Sequence, residues 1–234
     1  MALKTVELTP RIGTEIRTDI DTLVSGRHAA QIRELLEQRG VLILRGLHLD
    51  KDQQLAFSHT LGKVQPQGDG GIFKISIDPK ESPGAEYLKG SFFWHIDGAT
   101  DDVPNFAATL NARTLSRTGG STYFANTYAA DDELPEEDKQ VYDQLRVVHS
   151  FEFVQRWVNP EPGSLELAFW QTRTPKVHPL VWKHASGRKS LVLGSTAEYV
   201  QGMDMAQGRA LLTRLREWST QPQFVYRHDW LPGD

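Results

Sequence analysis

Cysteine is absent from the 234-residue chain, which excludes disulfide staples, thiolate metal sites and a cysteine nucleophile. No run of about 18 apolar residues occurs; the best, VLIL at 41–44, has the length of a strand. The opening MALKTVELTPRIGTEIR contains no apolar h-region, so a cytoplasmic setting without a membrane partner is expected. Charge of one sign is not in excess: 26 Lys and Arg against 30 Asp and Glu give −4. No affinity for nucleic acid is therefore expected. G-x-G-x-x-G and G-x-x-x-x-G-K-[ST] are both missing, which removes the usual nucleotide fingerprints. Internal repeats and low-complexity tracts are missing too. Self-association into a homo-oligomer is left open.

What is present suffices for a folded core. Hydrophobic residues make up 39% of the chain, with ten Phe, six Trp and six Tyr, and the length suits one large domain spanning 1–234. Residues 26–39 (GRHAAQIRELLEQR) have helical spacing, with Gly40 as the stop. VLILRG reads as a buried strand, and Asp50 caps a second helix that runs to Gly62. A Gly-rich turn at 68–71 precedes a strand at 72–78. Further strands are expected at 91–97 (SFFWHID), 105–113, 121–126, 147–153, 178–182, 190–193 and 224–230. Helices are expected at 136–146, with Val141 and Leu145 facing inward, and at 204–218. The stretch 155–175 shows no period and carries three prolines, which suggests a lid or binding loop. Many short strands with helices mostly ahead of them point to a mostly β (α+β) protein. Its core is expected to be a double-stranded β-helix, or jelly roll, with peripheral helices.

Chemistry is sought first among the eight histidines. With 30 acidic residues, H-x-[DE] arises by chance about once in such a chain, and two copies occur. His48-x-Asp50 lies where a strand gives way to a helix, and capping explains Asp50. His95-x-Asp97 ends an apolar run. On a strand, i and i+2 project from one face, so imidazole and carboxylate converge. The residues alone leave two readings open. One is two-thirds of a 2-His-1-carboxylate triad for Fe(II); the other is a hydrogen-bonded pair at a polar strand end. Of the rest, His178 reads as a packing or hydrogen-bonding residue and not as a ligand. His184 and His228 read as exposed, and His28, His59 and His149 as surface positions.

WHID, TGGSTYF and HPLVWKHASGRKSLVLG, taken together, resemble the TauD/TfdA (taurine dioxygenase) family of Fe(II)- and 2-oxoglutarate-dependent dioxygenases. The resemblance runs from about residue 5 to the C-terminus. It implies that His95 and Asp97 ligate iron and that Thr122 bonds a 2-oxoglutarate carboxylate. It further implies hydroxylation of a small organic metabolite, with release of succinate and CO2. The family's third ligand, a histidine, and its 2-oxoglutarate arginine follow a sequence like WLPGD, so both are expected beyond Asp234. The histidine and tyrosine that taurine-specific members carry before the iron strand have no counterpart in GKVQPQGDGGIFK. Taurine is accordingly not the expected substrate. The competing readings are a non-catalytic or degenerate jelly-roll binding protein and a zinc hydrolase using the same pair, which would need a third ligand and a base.

Overall fold

A computed structural model describes residues 3–65, 68, 71–78, 80–82 and 85–234. The chain divides into two compact units: Met1–Phe73 with Thr109–Asn126 and Thr220–Asp234, and Lys74–Ala108 with Thr127–Ser219. In chain order the first unit contains β1 (Lys4–Glu7), β2 (Thr14–Arg17), α1 (Ile20–Val24), α2 (Ala29–Arg39), β3 (Leu42–Ile43) and α3 (Lys51–Leu61). The second begins with α4 (Ala85–Leu88) and a 3-10 turn over Lys89–Phe92. The first resumes with β4 (Thr122–Ala125). The second then holds α5 (Thr127–Asp132), α6 (Glu136–Tyr142), β5 (Arg146–His149), α7 (Phe151–Val158) and α8 (Ser164–Gln171). It continues through β6 (Lys176–Pro179), β7 (Val181–Lys183), β8 (Lys189–Leu191), β9 (Ala197–Val200) and α9 (Met205–Ser219). β10 (Val225–His228) returns to the first unit.

The first unit is organised by amphipathic helices. Ile32 of α2 and Phe57 of α3 are buried with Ile16 and Leu23 in one apolar cluster, each side chain stabilising by roughly 1.5–3 kcal/mol. Asp50 caps α3 as expected: its carboxylate accepts from the Gln53 N–H (2.8 Å), and the Gln53 side chain accepts from the Asp50 N–H (2.9 Å). β1 and β2 are antiparallel, and β2 and β3 parallel. β4 pairs antiparallel with β10, setting Thr122 opposite His228 and Phe124 opposite Tyr226.

In the second unit β5 lies between β6 and β9, all antiparallel, while β7 and β8 form a hairpin. The hairpin and β6 arise from HPLVW, which breaks at the buried Leu180 instead of forming one strand. Leu211, Leu212 and Leu215 give α9 its buried face.

Several expectations require correction. Residues 72–78, 91–97 and 105–113 are not strands. The alternating Phe73, Ile75 and Ile77 are exposed, and none of the three runs has a ladder partner among the described residues. Residues 151–153 open α7 in place of extending β5, because the Ser150 hydroxyl caps the helix by accepting from the Phe153 N–H. The stretch 155–175 is helical, not a loop. Pro160 and Pro162 fall between α7 and α8 and Pro175 after α8, while Trp170 is fully buried. In α6 the inward side chain is Tyr142, with Val141 exposed. His149 and His228 are buried, not on the surface. The strands are two to four residues long, so helices hold more of the described chain than the expected predominance of β suggested. Part of the Gly-rich turn 68–71 lies outside the described residues.

Candidate active site

His95 and Asp97 come together in the second unit, although the segment carrying them is not a strand. The 3-10 turn ends at Phe93, whose backbone is extended (φ −94°, ψ 152°). The chain then runs without ladder partners to a turn at Asp97–Thr100. The two side chains still meet across two positions: His95 Nε2 lies 3.4 Å from Asp97 Oδ1. The other ring nitrogen, Nδ1, donates to the Phe93 carbonyl at 2.9 Å. That bond commits Nδ1 to the backbone and turns Nε2 toward a carboxylate oxygen. When the ring is protonated Nε2 donates to that oxygen; when it is neutral the Nε2 lone pair and the carboxylate are two donors that can share a cation. Each carboxylate or imidazole bond to a divalent metal is about 2.0–2.2 Å long, so one ion can reach both atoms. The donor set therefore fits a divalent metal. In its absence Asp97 holds the His95 ring above the ordinary imidazole value, and the ring holds the Asp97 carboxyl below the ordinary carboxylate value, in both cases against the pull of desolvation. Among the described residues no third His, Asp or Glu joins the pair.

Three contacts secure this segment. The Ser195 N–H donates to the Trp94 carbonyl at 2.7 Å. Gly194, at φ +125°, approaches so closely that a Cβ there would lie 3.0 Å from His95 Cα. Beyond Asp97, the Ala99 carbonyl accepts from His178 Nε2 at 3.0 Å, and Ala99 and His178 are both buried. The His149 ring packs on His178 with centroids 5.5 Å apart. Burial, followed by the neighbouring His178, pushes the His149 pKa down to about 4. His178 thus both packs and hydrogen-bonds, as its sequence context suggested. The residues that sequence reasoning missed are Gly194 and His149. A glycine closing an apolar run carries no distinguishing signal, and a histidine two residues before Phe151 reads as amphipathic.

Beside this segment lies an apolar wall with cations. Phe93 meets Trp157 edge-on (5.1 Å), and Trp157 meets Phe153 (5.5 Å). Arg209 stacks over Phe153 and Arg216 over Trp157 at 5.3 and 5.6 Å. Phe153, Trp157, Arg209 and Arg216, with Gly194 and the acidic Glu198, line a cleft of about 180 Å³; Phe153, Trp157, Glu198 and Arg209 also line one of about 400 Å³ beside Ser150 and Arg156.

Thr122 belongs to the first unit, at the start of β4. Its hydroxyl oxygen accepts from the Trp230 indole N–H at 2.9 Å. His48 is a loop residue at φ 52° with Asp50 committed to its cap, so the second H-x-D copy is structural.

An imidazole and a carboxylate that face one another are donor types a divalent metal accepts. The chain belongs to the family described as Taurine catabolism dioxygenase TauD, TfdA family, which it matches over residues 4–234. It is 34% identical over 233 residues to the alpha-ketoglutarate-dependent 2,4-dichlorophenoxyacetate dioxygenase of Burkholderia sp. (strain RASC), covering 88% of this chain and 76% of that protein. It is 30% identical to the alpha-ketoglutarate-dependent sulfate ester dioxygenase of Pseudomonas putida, over 96% of this chain and 77% of that one. Among solved structures, AAD-2 in complex with Mn(II) and N-oxalylglycine superposes with a TM-score of 0.88 at 26% identity. That match covers all of this chain and 87% of AAD-2. The chain is accordingly an Fe(II)- and 2-oxoglutarate-dependent dioxygenase.

Proposed function

We propose that this chain holds ferrous iron through His95 and Asp97, bonds a carboxylate of 2-oxoglutarate through Thr122, and oxidises a small organic anion with an apolar body. The supporting observation is the facing pair, His95 Nε2 and Asp97 Oδ1 at 3.4 Å with Nδ1 already engaged. Iron and 2-oxoglutarate, when bound, supply the oxidising power, with succinate and CO2 as by-products. The protein's own work is positional. The Phe93 carbonyl orients the imidazole, Gly194 and Ser195 hold its backbone, and the Ala99–His178 bond anchors the turn after the carboxylate. The surrounding core is read as a jelly roll forming one catalytic domain, in a cytoplasmic protein without nucleic-acid or membrane partners.

The substrate class follows from two lines. Relatives act on 2,4-dichlorophenoxyacetate, (S)-phenoxypropionate and sulfate esters, each an anion with a carbon bonded to an ether or ester oxygen. Hydroxylating that carbon gives a hemiacetal or its sulfate analogue, which collapses with C–O cleavage. The cleft beside His95 offers matching chemistry: Phe153 and Trp157 for the body, and Arg209 and Arg216, which outnumber the one carboxylate of the lining, Glu198, for the charge. The test incubates the full chain with Fe(II), 2-oxoglutarate and a panel of aryloxyalkanoates, alkyl sulfates and taurine. Succinate formed in step with phenol, or with aldehyde and sulfate, is expected. Succinate coupled to taurine alone, or to none of them, overturns the assignment.

A further inference from the structure

Thr122 faces His228 across the β4–β10 ladder, and in an antiparallel pair directly opposed residues share a face. Trp230 is two residues beyond His228, on that same face. Its indole N–H reaches Thr122 Oγ1 at 2.9 Å, and its ring stands edge-on against the His228 ring at 4.4 Å and 87°. His228 is itself almost wholly buried, so Trp230 rests on a fixed platform. A second tie runs alongside. The Ser121 hydroxyl donates to Asp229 Oδ1 at 2.6 Å, and Arg227 Nε donates to the same carboxylate at 3.0 Å. The residues just past the last ladder pair are thus stitched together side chain to side chain.

The direction of the Trp230–Thr122 bond matters. An indole N–H only donates, so the threonine oxygen accepts and its own proton points elsewhere. Among the described residues that proton has no acceptor. We infer that Trp230 is a positioning residue for the cosubstrate: it turns the Thr122 hydroxyl so that its proton is presented to an incoming carboxylate. This rests on the reading of Thr122 as a 2-oxoglutarate contact. Without the indole N–H the hydroxyl rotates freely and can offer a lone pair to the carboxylate, which is repulsive.

The test is 2-oxoglutarate affinity of the Mn(II)-loaded full chain, measured by calorimetry for wild type, Trp230→Phe, Thr122→Val and the double variant. Trp230→Phe should weaken binding about fivefold, the size of one neutral hydrogen bond. Thr122→Val should weaken it about tenfold or more, because its bond is to a charged group. The double variant should bind no worse than Thr122→Val, with Mn(II) affinity unchanged throughout. Benzothienylalanine at 230, which keeps the ring shape and lacks the N–H, should reproduce the Trp230→Phe loss even if Phe disturbs the packing. An unchanged Thr122→Val sinks the Thr122 reading and this inference together. A weakened Thr122→Val with unchanged Trp230 variants overturns the inference alone. So does a double variant with additive losses, since Trp230 would then be acting as scaffold and not through Thr122.

Discussion

Gly194→Ala should damage the proposed metal centre without replacing a ligand. The added Cβ would lie 3.0 Å from His95 Cα and 3.2 Å from the Trp94 carbonyl oxygen, whereas carbon atoms in contact settle near 3.5–4.0 Å. Neither neighbour is a flexible side-chain end, so the Trp94–His95 backbone must retreat by about half an ångström. The glycine's φ of +125° adds strain for any L side chain, on the order of 1–3 kcal/mol. For a chain this long each kcal/mol lowers Tm by roughly 2–4 °C, which gives a fall of about 2–12 °C. Catalytic and binding constellations tolerate only about 0.5 Å of misplacement, so metal affinity should fall on the order of 10–100-fold. Thermal melts and Mn(II) calorimetry on the full chain check both numbers. A Gly194→Ala protein that melts and binds Mn(II) like wild type refutes the claim that this glycine seats the His95 backbone.

Other outcomes separate site from scaffold. Asp97→Ala should abolish iron binding, measured by anaerobic titration, and leave Tm nearly unchanged, because the side chain is largely exposed and adds little core area. Asp50→Ala should cost about 1 kcal/mol in denaturant melts and leave activity intact, as for a helix cap. If activity failed in the second variant and survived in the first, the wrong H-x-D pair would have been chosen. His149, wholly buried, has its pKa lowered from 6.5 to about 4, so the unfolded chain binds the extra proton first. Its contribution is fully present above pH 6.5 and is lost as pH falls toward 4, by roughly 3 kcal/mol at about 1.36 kcal/mol per pH unit. His149→Gln should flatten that part of the stability–pH curve. Parallel curves for the two proteins would contradict the assignment.

The helices and caps of the first unit were legible because local chemistry decides them: the Asp50–Gln53 box and the Gly40 stop are written in adjacent residues. The strands of the second unit were less so. VVHSFEF continues an apolar run across the Ser150 cap, and FFWHID has strand composition without a strand partner. The His95–Asp97 spacing told which side chains meet, because two positions of one short segment bring them within reach of each other. What seats them was not legible. Gly194 and His178 reach the segment from about 80 to 100 positions away, and long-range approach leaves no local pattern. Buried histidines such as His149 and His228 were misplaced for the same reason: polarity suggested the surface, while contacts far along the chain enclosed them.

The most direct measurement is the visible spectrum of the anaerobic full chain titrated with Fe(II) and then 2-oxoglutarate. The wild type should develop the weak metal-to-cosubstrate charge-transfer band, and His95→Ala and Asp97→Ala should not. An undiminished band in both variants would place the iron elsewhere.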